Sequence, residues 1–375
     1  MIVVEKLNYK SLKLKNGEIT FDLENLEKYR NIFHTKFNLK NINFNKIDIK
    51  FLDGERKLIS IDNAVFKYKS RNNIEKINLK GGFLNDLIII NLKNTRDKLE
   101  TSSALKIKLG KSKLSSKLDI LSSNRKDGLT KGNFSIKKDK NKIIAIFEYK
   151  DDEIIVKKGN LENTFLEGKF NGILKILPYF NFNLDLNLNS LNFNKLHNIL
   201  AGLKDEKRKN LFKINKKLNG ELTLSANKIY TRHSLLKSFE SRAKFMNGDI
   251  FIERMLLSLG KFGATDFTGV IKNENKFTNF KFENNLFIDN LKKFYNKFGV
   301  YNKIPKTPVS FYTIGNFDLI NLNMRFSEID SVEKVTNEDL NYYEKEFNNI
   351  FLEDGYESLF KFENLKKFVQ LTADE

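Results

Sequence analysis

The chain has 375 residues, a net charge of +19, and 40% hydrophobic residues including 34 Phe. That apolar content excludes general disorder, and 3 Pro with 19 Gly exclude a proline-rich linker or a collagen-like repeat. With no cysteine, disulfides, Cys-metal sites and thiol catalysis are excluded too, and no apolar run reaches the ~18 residues of a membrane-spanning helix.

The positive charge invites a nucleic-acid or anionic-membrane partner. The lysines are spread evenly, with no basic helix and no arginine cluster, and Lys, Asn, Ile and Phe rise together in AT-rich coding sequence. The sequence therefore predicts no nucleic-acid partner, whereas a general attraction to anionic headgroups fits the charge. The N-terminal run Met1 to Val4 is too short for a secretory signal.

In chain order, residues 1–190 read as strands separated by turns. Short alternating runs recur at Phe37 to Leu39, Ile42 to Phe44 and Ile47 to Phe51, and the longest covers Phe180 to Asn189. A strand sends successive side chains to opposite faces, so each run predicts a half-buried strand with one apolar face. Turn signals fall at Asn16-Gly17, Asp53-Gly54, Gly81-Gly82, Asp127-Gly128 and the acidic corner Lys150 to Glu153. Lys142 to Tyr149 and Glu153 to Lys158 read as one hairpin.

An interrupting helix is expected over 191–217, from Leu196, Ile199, Leu200, Leu203 and Leu211 at helical spacing. A second β region follows over 218–330, with a helix near 286–299 carrying Leu291, Phe294, Tyr295 and Phe298 and stopping at Gly299. Pro305 and Pro308 mark a loop before a strand pair at Phe311 to Phe326. The segment 331–375 reads as a helical cap: Thr336 and Asp339 have capping-box spacing, and Leu340, Tyr343, Phe347 and Ile350 form a stripe. Asp354-Gly355 breaks it before a last short helix around Leu365, Phe368 and Val369. The fold class expected is mainly β, an elongated, curled antiparallel sheet with a few helices and a helical C-terminal cap.

Residues able to carry chemistry are sparse. His34, His197 and His233 stand far apart, none with a second ligand at metal spacing, so no metal site is expected. Gly110-Lys111-Ser112 resembles the end of a phosphate loop, but Leu105 stands where that motif needs glycine, which predicts a hairpin turn. Ser234 and Lys237 match a Ser-x-x-Lys spacing without its companion motifs. Asp151, Asp152 and Glu153 read as a solvated turn. No catalytic residue and no cofactor are expected, and the chain reads as a non-enzyme.

The stretch from Leu218 to Ile271 sets a Gly-led strand (Leu218-Asn219-Gly220 to Leu224), an Asn247-Gly248 turn and a further Gly-led strand (Gly260 to Gly263, then Thr268-Gly269-Val270) in series. Upstream, Gly168 to Gly172 leads through Leu177-Pro178 into the alternating strand, and Ile47 to Ile49 precede Asp53-Gly54. In order and spacing this resembles the C-terminal region of AsmA-like proteins of Gram-negative envelopes, across roughly residues 30 to 300. The resemblance implies a β-taco, or repeating β-groove, in the periplasm, acting in outer-membrane assembly and in phospholipid movement between inner and outer membranes. It also implies an N-terminal inner-membrane anchor, which this sequence does not show, so the chain is expected to be a fragment or a variant.

The trough lining expected is Phe180, Phe182, Leu184, Leu186, Leu188, Leu222, Leu224, Ile250 and Ile252. Phospholipid, the two membrane surfaces and envelope proteins are the expected partners. The alternatives are a closed core, a scaffold that binds protein partners through edge strands, and a transmembrane β-barrel, which the helical C-terminal segment disfavours.

Overall fold

The computed structural model describes residues 11–25, 41–124, 129–176, 180–202, 214–233, 235–274, 277–301, 308–330, 335–353, 355 and 358–371. The chain is mainly β, as its alternation predicts: twenty strands, mostly antiparallel, pair into open sheet structure. Residues 1–160 and 161–375 form two compact units.

The first unit is a ladder of sequential hairpins. It contains β1 (Ser11–Asp22), β2 (Asn41–Asp53), β3 (Arg56–Arg71), β4 (Ile74–Phe83) and β5 (Asp86–Arg96). They are followed by β6 (Glu100–Leu109), β7 (Ser115–Ser123), β8 (Thr130–Lys138) and β9 (Asn141–Lys150), with β10 (Glu153–Glu162) at its boundary. Each neighbour pair from β2 to β9 is antiparallel, whereas β1 lies parallel to β2. Its core gathers Ile47, Ile49, Ile61, Ala64, Leu79 and Ile88.

Several hairpin turns follow from residues that tolerate positive φ. Asp151 and Asp152, at φ 51° and 65°, make the tight turn between β9 and β10, so the acidic corner is a hairpin turn as expected. Two expected turns are corrected. Asn16-Gly17 lies inside β1, where Asn16 and its neighbour across the ladder, Lys46, both have positive φ and the pairing skips them. Gly81-Gly82 lies inside β4, and the turn falls at Leu84-Asn85 instead. Gly81 is needed for close packing: a Cβ there would come within 2.6 Å of Ile61 Cγ2 and 3.1 Å of the Asp62 carbonyl oxygen. Asp127-Gly128 lies outside the described residues.

The second unit contains β11 (Leu166–Lys175), β12 (Asn181–Asn192), α1 (Phe193–Ala201), β13 (Asn219–Ala226), β14 (Ile229–Tyr230) and β15 (Ser238–Met246). It continues through β16 (Asp249–Ser258), β17 (Gly263–Glu274), β18 (Phe277–Ile288), α2 (Leu291–Lys297), β19 (Val309–Asp318) and β20 (Asn323–Asp330). The helices α3 (Asn337–Phe351) and α4 (Phe362–Leu371) complete it. The interrupting helix starts later than the expected 191: β12 runs on to Asn192, whose side chain accepts the Lys195 amide at 3.0 Å and caps α1. Leu203 and Leu211 lie outside the described residues. Likewise β18 holds residues to Ile288, and α2 begins only after the Asn290 cap.

The α1 connection has a topological consequence. A chain that leaves a strand and returns by a crossover enters the next strand in the same direction. Accordingly β12 pairs in parallel with β13 and β14, while β13–β15 and every later pair through β20 are antiparallel.

The helices cover part of the sheet. Phe347, Phe351 and Phe368 of α3 and α4 pack on Phe282, Phe317 and Met324. A second cluster centres on Phe298, which has no exposed surface, with Ile288, Phe294 and Val300 around it. The Thr336–Asp339 capping box forms as its spacing predicts: the Thr336 hydroxyl accepts the Asp339 amide at 3.3 Å, and Asp339 Oδ2 accepts the Thr336 amide at 2.8 Å. Helix α3 also guards the edge of β20. Met324 donates its amide to Asn348 Oδ1 at 2.8 Å, and Asn348 Nδ2 donates to the Met324 carbonyl at 2.9 Å. A side-chain amide thus pairs with the strand edge as another strand would.

Candidate functional site

Cross-strand register decides which apolar side chains share a face. In the second unit the parallel pairing sets Leu184 beside Leu222 and Leu186 beside Leu224, with Phe182 beside Gly220 and Leu188 beside Ala226. The antiparallel ladder carries these rows onward: Gly220 opposes Phe245 and then Ile250, and Leu222 opposes Ala243 and then Ile252. Eight of the nine expected lining residues therefore lie in adjoining rows on one sheet face. Phe180 departs from this pattern, because β12 starts at Asn181. It stands just before the strand, 37% exposed, with its ring 6.1 Å from that of Phe182.

Glycines keep this face thin. A Cβ at Gly220 would meet Phe182 Cδ1 at 2.6 Å, so the ring lies flat across the neighbouring strand. The same arrangement places Phe282 over Gly315, where a Cβ would come within 2.5 Å of Cζ. Large rings laid over glycines give a smooth apolar layer rather than an interdigitated one.

Exposure along the face is graded. Phe182 and Leu188 are buried, whereas Leu184, Leu186, Leu222, Leu224, Ile250 and Ile252 are half-buried. At one end Leu188, Leu191, Ala226 and Ile229 are covered by Phe193 and Leu196 of α1. At the far strands α3 and α4 cover Phe282, Phe317 and Met324. Where β12, β13 and β15 meet at their other end, a cleft of about 440 Å³ opens beside Phe182, Gly220, Phe245 and Met246, rimmed by Asn181 and Glu221.

The first unit carries a second apolar face that the nine expected residues do not include. Tyr68, Ile77, Leu92, Leu105, Leu118 and Phe134 form one directly opposed row across β3 to β8. A parallel row runs from Phe66 through Leu79, Ile90 and Ile107 to Ser116 and Ile136. From Leu92 to Phe134 these apolar side chains are half-buried, and among the described residues of this unit the only helical segment is a single turn at Leu23–Asn25. The signal was present in the alternation of Leu105 to Leu109.

A polar group borders that face. Arg96 Nη2 reaches Glu75 Oε1 at 3.1 Å and Oε2 at 3.2 Å, and Tyr68 donates its hydroxyl to Glu75 Oε1 at 3.4 Å. Burial is the main reason that the Tyr68 hydroxyl titrates above its ordinary range.

The phosphate-loop-like turn has its amides occupied. Asp86 Oδ1 accepts the Lys111 amide at 2.7 Å and Oδ2 accepts the Ser112 amide at 2.8 Å, while Lys111 Nζ donates to the Asn85 carbonyl at 3.0 Å. These backbone bonds, led by that of Ser112, hold the Asp86 carboxyl far below the usual carboxylate range. The turn thus binds a carboxylate of the chain itself and ties the β4–β5 hairpin to the β6–β7 turn.

Among the described residues no three His, Asp or Glu side chains gather as a metal site would require. His197 and His233 lie in α1 and in the loop before β15, the latter stacked on Phe362 at 3.9 Å. His34 and Ser234 lie outside the described residues. No helix among the described residues is long and apolar enough to cross a membrane.

Comparison with protein-family models, curated proteins and solved structures finds no match for the chain.

Proposed function

We propose that the chain is a non-enzymatic lipid-binding protein of the cell envelope, whose apolar sheet faces hold or conduct phospholipid acyl chains between inner and outer membranes. The observation that carries this reading is the apolar face of the first unit, where Leu92, Leu105, Leu118 and Phe134 are half-buried and no helix among the described residues lies over them. A guest acyl chain on an apolar face of this breadth would gain about 0.8 kcal/mol per buried methylene. Six neighbouring strands at ~4.8 Å spacing make such a face on the order of 25 Å wide. Movement along it would need no chemistry. The AsmA-like resemblance supports a periplasmic setting and a role in outer-membrane assembly.

Extraction of the purified protein followed by mass spectrometry tests this directly, with phospholipid expected at a reproducible stoichiometry. Leu118→Asp should keep the fold, because the site is half-exposed, and lose the lipid, because a carboxylate would sit against acyl chains. A wild-type protein consistently free of lipid would sink the proposal.

A second reading, a scaffold for outer-membrane protein assembly, is favoured by β1. This strand is exposed along most of its length, with Leu12 37% and Leu14 49% exposed, and among the described residues it pairs only with β2. Such an edge can accept a partner strand. Proline at Lys13 should then abolish capture of envelope proteins while leaving lipid content unchanged; retained capture removes the scaffold reading.

A further inference from the structure

The polar face of the first unit, opposite its apolar face, concentrates charge in a way that the even spread of lysines along the sequence conceals. Lys69, Lys76 and Lys93 directly oppose one another across β3, β4 and β5, and the first carboxylate in that row is Asp119 on β7. In the next row Lys106 opposes Lys117, with Lys67 on β3. In the third, Lys80 and Lys108 lead to Lys137, which opposes Lys142. Among the described residues only Lys117 of these lysines has a carboxylate within ion-pair distance, Asp119 at 2.5 Å, and all but Lys142 are exposed. Like charges directly opposed on a sheet repel, so a surface of this kind gains from an external anion.

We infer that this face, from β3 to β9, is the docking surface for an anionic lipid bilayer, its lysines neutralising headgroup phosphates. Two features select a bilayer over a nucleic acid. The same face carries the exposed aliphatics Leu121 and Ile146, 43% and 48% exposed, with Ile144 beside them, and such side chains suit the headgroup–acyl boundary. The face carries no aromatic residue, the side chain on which single-stranded bases stack, and its one arginine is Arg71, in the row of Leu121 at the β3 end. The charge is also spread over a two-dimensional field rather than a groove. A protein lying on this face would turn its apolar face away from the membrane plane, and the docking stands whether or not that face carries lipid.

Vesicle flotation with the full chain tests the inference, using phosphatidylcholine vesicles with and without phosphatidylglycerol. Binding should require phosphatidylglycerol and weaken with salt. The triple variant K69Q/K76Q/K93Q should bind on the order of a hundredfold more weakly, at the roughly fivefold expected per lysine near an anionic surface. K244Q/K272Q/K281Q, at exposed positions of the second unit, should bind within about twofold of the wild type if the first unit carries the docking. Circular dichroism confirms that both variants are folded, and K106Q/K108Q/K137Q probes the same face by a second route. Equal loss in both triple variants would reduce the effect to net charge and overturn the assignment, as would equal binding to neutral vesicles. Binding of duplex DNA with the same lysine dependence, in the absence of vesicle binding, would overturn it in favour of a nucleic acid.

Discussion

At the scale of single residues, two positions show how different physical terms hold the chain. Phe298 is fully enclosed, its ring 4.9 Å from Phe294 and 5.4 Å from Phe362. Phe298→Ala should cost about 3–5 kcal/mol, since the surrounding rings cannot fully collapse into the space left; denaturant unfolding of the second unit measures it. Asp86 acts through hydrogen bonds instead. Asp86→Ala frees the Lys111 and Ser112 amides, and hydrogen exchange at those two amides should accelerate while the β5–β6 ladder keeps its protection. Asp86→Asn, which can still accept but carries no charge, should recover part of that protection. The resemblance of Gly110-Lys111-Ser112 to a phosphate loop was visible in the sequence; that its amides are taken by a carboxylate 25 residues upstream was not, because register brings the two turns together.

At the scale of elements, local chemistry set boundaries well where it was self-contained. The Thr336 cap and the acidic β9–β10 turn needed only neighbouring residues, and both formed as read. Thr336→Ala should cost about 1 kcal/mol and fray the first turn of α3, with Thr336→Ser restoring it; helical circular dichroism and thermal unfolding report the change. The boundaries that failed are instructive in the same terms. Asn16-Gly17 has the composition of a hairpin turn, yet β1 runs parallel to β2, and a parallel pair needs no tight turn between them. Gly81-Gly82 also looks like a turn, but the glycine answers the close approach of β3. Helix α3 carries a further element-scale role. Asn348→Ala should leave the Met324 amide and carbonyl without their partner, at about 1–3 kcal/mol if they remain dry, and should raise self-association on gel filtration by uncovering the β20 edge.

For the whole molecule, acid should be more damaging than base. Asp86 and Asp339 have carboxyls held below their ordinary 3.8 by hydrogen bonds, and Glu18 below 4.5 chiefly by Lys50, whose ammonium lies 2.6 Å away. A folded-state value below the unfolded one gives stability that is present above the unfolded pKa and lost as pH falls through the folded one. Protonation also raises a net charge already at +19 and adds self-repulsion. The denaturation midpoint should therefore fall steeply below about pH 4, with added salt recovering part of the loss by screening; a midpoint flat from pH 5 to 3 would contradict this account.

What the sequence determined by itself is the local alternation. Period-two patterning fixes which side chains share a face of one strand and sufficed for a mainly β fold, while helical spacing and the Thr336 cap sufficed for the helical C-terminal segment. Only the tertiary structure decided how strands lie beside one another. A one-residue change of register moves every side chain to the other face, so neither the Leu184–Leu222 pairing across α1 nor the row from Leu92 to Phe134 could be read from any single run. The opposed lysines Lys69, Lys76 and Lys93 are separated by seven and by seventeen residues in the chain. Evenly spread along the sequence, they become one charged surface because hairpins fold a line of residues into a plane.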